Sequence, residues 1–544
     1  MDVATAVGRT LAELGIDRAF GVVGSGNFHV TNAMVESGVR FVAARHENGA
    51  ATMADAYGRM SGRVAAVTVH QGCGLTNAMT GITEAAKSRT PLVVVAADVL
   101  EPRSNFYVDQ DALAAAVGAV PMRVADGETA AATAARAYAT ALGDRRTVLL
   151  NLPLPVQSVE APADTLTTPT PAPPKDRAPD PNALDALVGA LRRAERPVFV
   201  AGRGARGSRD ELRRLGETVG ALLATSAVAK GLFHDDRWSL DVSGGFASPL
   251  AAELIRDADL IVGWGCALNM WTMRHGRLIG PDATVAQVDL DAAAIGAHVD
   301  ATIGVVGDVA ETAQAAAGAL ADTTATGYRT DDVRVALTDR LRWRDVPYSD
   351  TGTDDRIDPR TLTIGLDDLL PAERIVSVDS GNFMGYPSMF LSVPDEHGFC
   401  FTQAFQSIGL GLATAIGAAL AQPDRLPVAA LGDGGALMAA AELDTVVRLG
   451  LPMVVVVYDD AAYGAEVHHF GPGGHPLDTV RFPDTDIAAI GRGYGFDAVT
   501  VRRPADLDAV RGGLDGDRHA PLLIDAKVTS DTGSWWLEEA FRGH

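Results

Sequence analysis

Leu431-Gly432-Asp433-Gly434-Gly435, followed downstream by Tyr458-Asp459-Asp460-Ala461-Ala462-Tyr463-Gly464, is the stretch from which the fold of this chain is read. Val428 to Leu431 is a short apolar run that stops at Gly-Asp-Gly-Gly, the pattern of a buried strand opening into a tight turn. Ala436 to Leu449 is rich in Ala and Leu, carries Glu442, Asp444 and Arg448, and ends at Gly450, which predicts a helix with a glycine stop. Met453 to Tyr458 reads as a second buried strand, and two carboxylates follow it. Strand, glycine turn, helix and strand put oxygen ligands at the carboxyl ends of both strands, where open parallel sheets hold their ligands. The chemistry that suits such residues is a diphosphate held through a divalent cation. Mg²⁺ takes oxygen ligands from one or two carboxylates plus phosphate oxygens. Asp433 and Asp460 can supply the carboxylates and the Ala462 carbonyl a third oxygen. Gly432, Gly434 and Gly435 leave the N–H groups of the helix start open to a phosphate. Gly-Asp-Gly alone also fits an ordinary strand–turn–helix, so a second feature has to decide.

That feature lies far upstream: Arg45-His46-Glu47-Asn48-Gly49-Ala50-Ala51-Thr52-Met53-Ala54-Asp55-Ala56-Tyr57-Gly58-Arg59. With both stretches in view, the chain resembles the thiamine-diphosphate-dependent decarboxylase and carboligase family. Acetohydroxyacid synthase, benzoylformate decarboxylase, pyruvate decarboxylase and benzaldehyde lyase belong to it. The resemblance runs over essentially the whole chain. It implies an α/β fold of three doubly wound parallel-sheet domains: a pyrimidine-binding domain at residues 1–160, a middle domain at 183–320 and a diphosphate-binding domain at 358–544. Linkers fall at 161–182 and 321–357.

The local patterns agree with that division. Arg18 to Val23, Val42 to Ala44, Val64 to Val69 and Pro91 to Ala97 read as strands between helical segments, the alternation that builds a parallel sheet. Glu160 to Pro181 is rich in Pro, Ala and Thr and reads as a surface linker. Pro197 to Ala201, Leu260 to Gly263 and Thr284 to Asp289 are strands of the middle unit, with Ala301 to Val306 a further candidate. Residues 321–357 are polar, with helical character around Val333 to Trp343.

Composition bounds the function classes. The chain has 544 residues, 47% hydrophobic and 21% charged, as globular proteins of several domains do. Its net charge of −23 argues against a nucleic acid or an anionic membrane as partner. Cys73, Cys266 and Cys400 are too few and too far apart for a disulfide framework or a zinc site. Met1 leads into Asp2 and an amphipathic helix without a basic start or a signal-like run, and no apolar run reaches membrane-spanning length, so a cytoplasmic location is expected.

The resemblance implies particular roles. Thiamine diphosphate needs a carboxylate on its pyrimidine ring nitrogen, and Glu47 matches the family's glutamate. It is expected to follow a strand, to open a helix and to be buried, with its pKa raised by that burial. A first-turn carboxylate complementing the helix dipole is the plain alternative. Ile408, in Ser407-Ile408-Gly409-Leu410-Gly411, falls on the apolar wedge that holds the cofactor bent. Ser380 and Asn382, with Tyr463 and Gly464, are expected to contact the cofactor. Asp433, Asp460 and Ala462 are the expected Mg²⁺ ligands. The family usually has an Asn–Asn pair where this chain has Asp459-Asp460, which adds negative charge beside the diphosphate.

Three loops are expected above the cofactor's reactive ring. They bring Ser25, Asn27 and His29; His70 and Gln71; and Glu466 and His468, to which Gln110 is added from a loop resembling that of benzaldehyde lyase. His70 and Glu466 are the expected catalytic groups beside Glu47, since both can move protons. For His29, His468 and His469 a surface histidine is an equal reading. Acetohydroxyacid synthase's flavin-contacting sequences are not recognisable, so FAD is left open but not favoured.

The expected activity is decarboxylation of a 2-oxo acid with carboligation to an aldehyde or ketone, like acetolactate synthase. A non-oxidative 2-oxo acid decarboxylase, a carbon–carbon lyase and a non-catalytic relative are the alternatives. The family's sites lie between subunits, which implies a homodimer or homotetramer. The amphipathic stretch Ser534 to Phe541 either closes over the site or packs on the third domain.

Overall fold

The computed structural model describes residues 1–162, 178–515, 520–530, 533–534 and 536–537. Most of the Glu160–Pro181 linker, and the greater part of the stretch from Ser534 to Phe541, lie outside the described residues. Three six-stranded sheets follow one another along the chain, and the strands in each pair side by side in parallel.

The first contains β1 (Arg18–Gly21), β2 (Arg40–Ala43), β3 (Ala65–Val69), β4 (Leu92–Asp98), β5 (Val120–Arg123) and β6 (Thr147–Pro153) in the order β2-β1-β3-β4-β6-β5. The second contains β7 (Pro197–Ala201), β8 (Leu222–Thr225), β9 (Ser239–Val242), β10 (Leu260–Trp264), β11 (Thr284–Asp289) and β12 (Ile303–Val306), ordered β12-β11-β10-β7-β8-β9. The third contains β13 (Arg374–Val378), β14 (Phe399–Phe401), β15 (Leu426–Gly432), β16 (Val454–Asp459), β17 (Asp497–Val501) and β18 (Leu522–Lys527), ordered β14-β13-β15-β16-β18-β17. Counted within each domain, the first and third orders are identical, and the middle one differs. The middle sheet reverses direction between β7 and β10, the doubly wound pattern with a crevice at the reversal. Central strands such as β3, β4 and β16 are buried along their whole length, because helices cover both faces of a parallel sheet.

The first and third domains are clamped together by helices. α1 (Glu47–Ser61) and α2 (Cys73–Lys87) belong to the first, α3 (Gly411–Ala421) to the third. α3 comes so near α1 that a Cβ on Gly417 would stand 2.1 Å from the Met53 carbonyl oxygen. Arg59 on α1 is the polar hub of this contact. It donates to Asp55 at 2.7 Å, to Glu84 at 2.6 Å and to the Phe401 carbonyl at 2.9 Å. Glu84 in turn accepts the Ala404 and Phe405 N–H groups at 3.0 and 2.6 Å. One apolar core runs through both domains.

One expected element is built differently. The helix predicted from Ala436 to Leu449 instead begins at Asp433 and is broken: α4 (Asp433–Met438), a 3-10 turn at Ala440–Glu442, then Leu443–Arg448. The break coincides with the burial of Glu442 against the first domain, a tertiary contact that the local Ala/Leu pattern does not encode. The connector holds an α-helix, Asp331–Arg340, and a 3-10 turn at Trp343–Asp345, and Asp358 caps the next α-helix from Pro359.

Candidate active site

The acidic cradle sits at the reversal point of the third sheet, at the carboxyl ends of β13, β15 and β16. β15 and β16 are in register with Gly432 opposite Tyr458, so Asp433 and the Asp459-Asp460 pair emerge side by side. Asp433 opens α4. Burial, then the charges of Asp460 and Asp459, push its pKa up to about 7. Burial likewise pushes Asp460 up to about 6, against the Ser530 hydroxyl that donates to it at 2.9 Å.

Asp459 is turned the other way. Its carboxylate lies 2.5 Å from the Lys527 ammonium and accepts the Ala461 N–H at 2.9 Å. Lys527 also meets Asp484 at 2.8 Å and Asp525 at 3.2 Å. The charge that Asp459 adds is therefore met by a lysine within the sheet, whereas Asp460 lines the cavity and keeps its added charge beside Asp433. Ala461 takes a left-handed φ of 56° at the corner, next to Ala462.

Glycines make the space. A Cβ on Gly464 would lie 2.4 Å from Asp460 Oδ2, one on Gly434 2.6 Å from the Tyr463 ring, and one on Gly435 2.2 Å from Asp379 Oδ2. Asp379 was not singled out from the sequence, although an aspartate ending the apolar run Ile375 to Val378 was a visible signal. It is buried and accepts the N–H groups of Ser380 at 2.8 Å, Gly409 at 2.9 Å and Leu410 at 3.2 Å. It thereby ties the Ile408 loop to the cradle. Burial raises its pKa to about 6.

A cavity of ≈ 950 Å³ opens here, lined by Ser380, Asn382, Ile408, Gly432 to Gly435, Asp460, Ala462 to Gly464 and Glu466. Tyr386 and Trp536 form an aromatic wall, edge to face at 5.3 Å. Trp536 belongs to the C-terminal stretch and packs on the third domain. Asn382 accepts the Ser534 hydroxyl at 2.7 Å. The cavity continues to the crevice of the middle domain at Gly202, Arg203 and Gly265.

A second cluster gathers at the reversal point of the first sheet. Glu47 opens α1 after β2, as its context predicts, and Asn77 donates to its Oε2 at 3.1 Å. In the chain taken alone it is half-buried rather than buried, and among the described residues its carboxylate has that single hydrogen bond and does not line the cavity. His70 ends β3. Its Nε2 is 3.4 Å from the exposed Ser25 hydroxyl, and its ring meets Phe106 edge-on at 5.3 Å.

Gln71 is buried, and its Oε1 has no hydrogen-bond partner among the described residues. Asn27 and Gln110 are buried and spent within their own domain. Asn27 accepts the Gly24 N–H at 2.8 Å and donates to Thr68. Gln110 accepts the Gly72 N–H at 3.0 Å and donates to Asn151 at 2.7 Å. His29 is exposed beside Phe28. His468 reaches Ser530 at 3.0 Å and through it Asp460.

The geometry defines an α/β protein whose third domain presents two carboxylates and a glycine-lined cavity at the carboxyl ends of a parallel sheet, where such folds hold ligands. Comparison with known proteins agrees. Residues 1–116 match the thiamine pyrophosphate enzyme N-terminal TPP binding domain, 184–316 its central domain and 379–526 its C-terminal TPP binding domain. The chain belongs to the thiamine pyrophosphate enzyme family.

Among curated proteins, it is 29% identical to a probable 2-ketoarginine decarboxylase of Pseudomonas aeruginosa, over 93% of this chain and 90% of that one. It is 28% identical to a sulfoacetaldehyde acetyltransferase of Alcaligenes xylosoxydans, covering 83% and 80%. It is 25% identical to the acetolactate synthase of Bacillus subtilis, covering 95% and 91%. No helix among the described residues is long and apolar enough to cross a membrane.

Proposed function

We propose that the chain is a Mg²⁺- and thiamine-diphosphate-dependent enzyme that decarboxylates a 2-oxo acid and joins the remaining acyl unit to an aldehyde or ketone. One observation carries this reading. Asp433 and Asp460 converge, with three glycines that clear space around them, on the wall of a ≈ 950 Å³ cavity that also meets Ile408. Such a volume is ample for a cofactor with substrate.

When bound, thiamine diphosphate supplies the carbon nucleophile and the electron sink. The chain's own residues do the rest. Asp433, Asp460 and the Ala462 carbonyl would hold the cation, and the α4 N–H groups would be available to phosphate oxygens. Ser380 and Asn382, which line the same cavity, would contact the cofactor. Ile408 props the ring system. Glu47 holds and returns a proton at the pyrimidine ring nitrogen. His70, with Ser25 beside it, and Glu466 move protons at the substrate oxygen and carbon.

Glu47 and the cradle belong to separate clusters in one chain, so the complete site is proposed to form between two copies, Glu47 of one facing Asp433 of the other. Exposed apolar side chains near these clusters, Phe28, Phe106, Phe405 and Met438, support that pairing. Mixing inactive Glu47→Gln and Asp433→Asn chains should restore activity in hybrids. A fully active monomer by light scattering rules the arrangement out.

A second reading, simple decarboxylation to an aldehyde, is favoured by the His70–Ser25 pair and by Glu466, which are equipped for protonation. Product analysis with pyruvate or phenylglyoxylate, with and without an acceptor aldehyde, separates the two. Adducts support ligation. Free acetaldehyde or benzaldehyde alone, with acceptor present, assigns the simple decarboxylase. Unchanged turnover in Glu47→Gln sinks both.

A further inference from the structure

Glu442 belongs to the segment that starts with the cradle, between α4 and Leu443–Arg448, yet its side chain leaves its own domain. It is buried. Its Oε1 accepts the N–H groups of Arg45 and His46, each at 3.0 Å. These are the two residues directly before Glu47. The Thr445 hydroxyl donates to Oε2 at 2.6 Å and fixes the carboxylate. Gly49 permits the approach, since a Cβ there would stand 2.5 Å from Oε1. Two further contacts flank it: Arg45 Nε meets Asp444 at 2.6 Å, and Arg448 Nη2 donates to the Ala43 carbonyl at 2.5 Å. All three come from the segment that begins at Asp433, and all three seize the strand-to-helix turn that presents Glu47.

We infer that Glu442 is a positioning residue for Glu47. By holding consecutive backbone N–H groups it sets the height and angle of the turn, which no single side-chain contact would do. The same grip ties the glutamate's turn to the cradle's segment within each chain. The inference rests on the role of Glu47 proposed above. Misplacing a reacting group by about 1 Å costs on the order of 100-fold in rate, so a shift of the turn should be visible in kcat.

Three variants test it in the full-length protein. Glu442→Ala removes the acceptor. Gly49→Ala leaves the carboxylate in the chain but displaces it. Glu442→Gln keeps a carbonyl oxygen for both N–H groups. In the cofactor-free protein, amide hydrogen exchange at Arg45 and His46 should rise at least about tenfold in Glu442→Ala and Gly49→Ala, and less in Glu442→Gln. The kcat should fall about 10- to 100-fold in the first two, with the dissociation constant for thiamine diphosphate and Mg²⁺ changed less than about threefold, and Glu442→Gln should recover most of the loss. In a Glu47→Gln background, Glu442→Ala should add no further loss.

Faster exchange with an unchanged kcat overturns the positioning role while leaving that of Glu47 intact. So does a loss shared equally by kcat and cofactor affinity that Glu442→Gln does not repair. Should Glu442→Ala fail to fold, an unchanged kcat in Gly49→Ala overturns it. If Glu47→Gln turns over like the parent, the proposed function itself fails, whatever exchange reports.

Discussion

Lowering the pH from 8 to 6 should weaken divalent cation binding at the cradle about 20-fold, and the reason lies in two carboxyls that burial makes reluctant to ionise. Asp433 is pushed up to about 7 and Asp460 to about 6. The proposed cation site needs both as carboxylates. At pH 8 both are charged. At pH 6, Asp433 is charged in roughly one molecule in ten and Asp460 in roughly one in two, so the competent form falls to about one in twenty, ~1.8 kcal/mol.

The stability of the cofactor-free chain moves the other way. Both folded-state values lie above the ordinary 3.8, so their contribution is present below about pH 4 and lost as pH rises through 6 to 7. Thermal melts from pH 5 to pH 8 should therefore fall more steeply in the parent than in a variant with both residues changed to Asn. Cation affinity is read by Mn²⁺ titration with electron paramagnetic resonance, with and without thiamine diphosphate. The ionisation of the free cofactor is measured alongside. Asp460→Asn removes one of the two ionisations and relieves Asp433, so its pH 8 to pH 6 loss should shrink to about tenfold or less. An affinity in the parent that changes less than about twofold across this range would refute the reasoning.

Other outcomes follow from the same geometry. Gly464→Ala brings a methyl group to 2.4 Å from Asp460 Oδ2 and should weaken cofactor-dependent cation binding at least about tenfold by calorimetry, with melting temperature little changed. Arg59→Met leaves Asp55 and Glu84 buried without their cation, and should cost about 3–5 kcal/mol, read as a lower unfolding temperature by calorimetry. Ile408→Ala should lower kcat about tenfold or more, and Ile408→Leu should retain most of it, because an apolar prop of similar volume remains. Lys527→Met strands Asp459 among Asp484 and Asp525. It should impair folding or cofactor binding, and Asp459→Asn in the same chain should recover part of the loss.

The cradle was legible because its signals are local. Gly-Asp-Gly-Gly after an apolar run and two aspartates after Val-Val-Val-Val-Tyr each report a strand end, and neighbouring strands bring them together. Glu47 was legible for the same reason, as a carboxylate at a strand-to-helix turn. Its environment was not, since burial depends on what lies against that turn. Asn27 and Gln110 looked like loop residues facing a substrate. Their amides turn inward because Thr68, Gly72 and Asn151, distant along the chain, offer them partners, and the Gly24 N–H, three residues from Asn27, adds a local one.

By itself the amino-acid order determined the three-part α/β division, most strands and the strand ends that carry Asp433 and Asp460, because hydrophobic periodicity and glycine turns act over a few residues. Only the tertiary structure decided that Lys527 withdraws Asp459 from the cavity, that Asp379 ties the Ile408 loop and that Glu442 grips the turn before Glu47. Those contacts depend on strand register and on domains meeting, and both are set by residues too far apart in the chain for any local pattern to record.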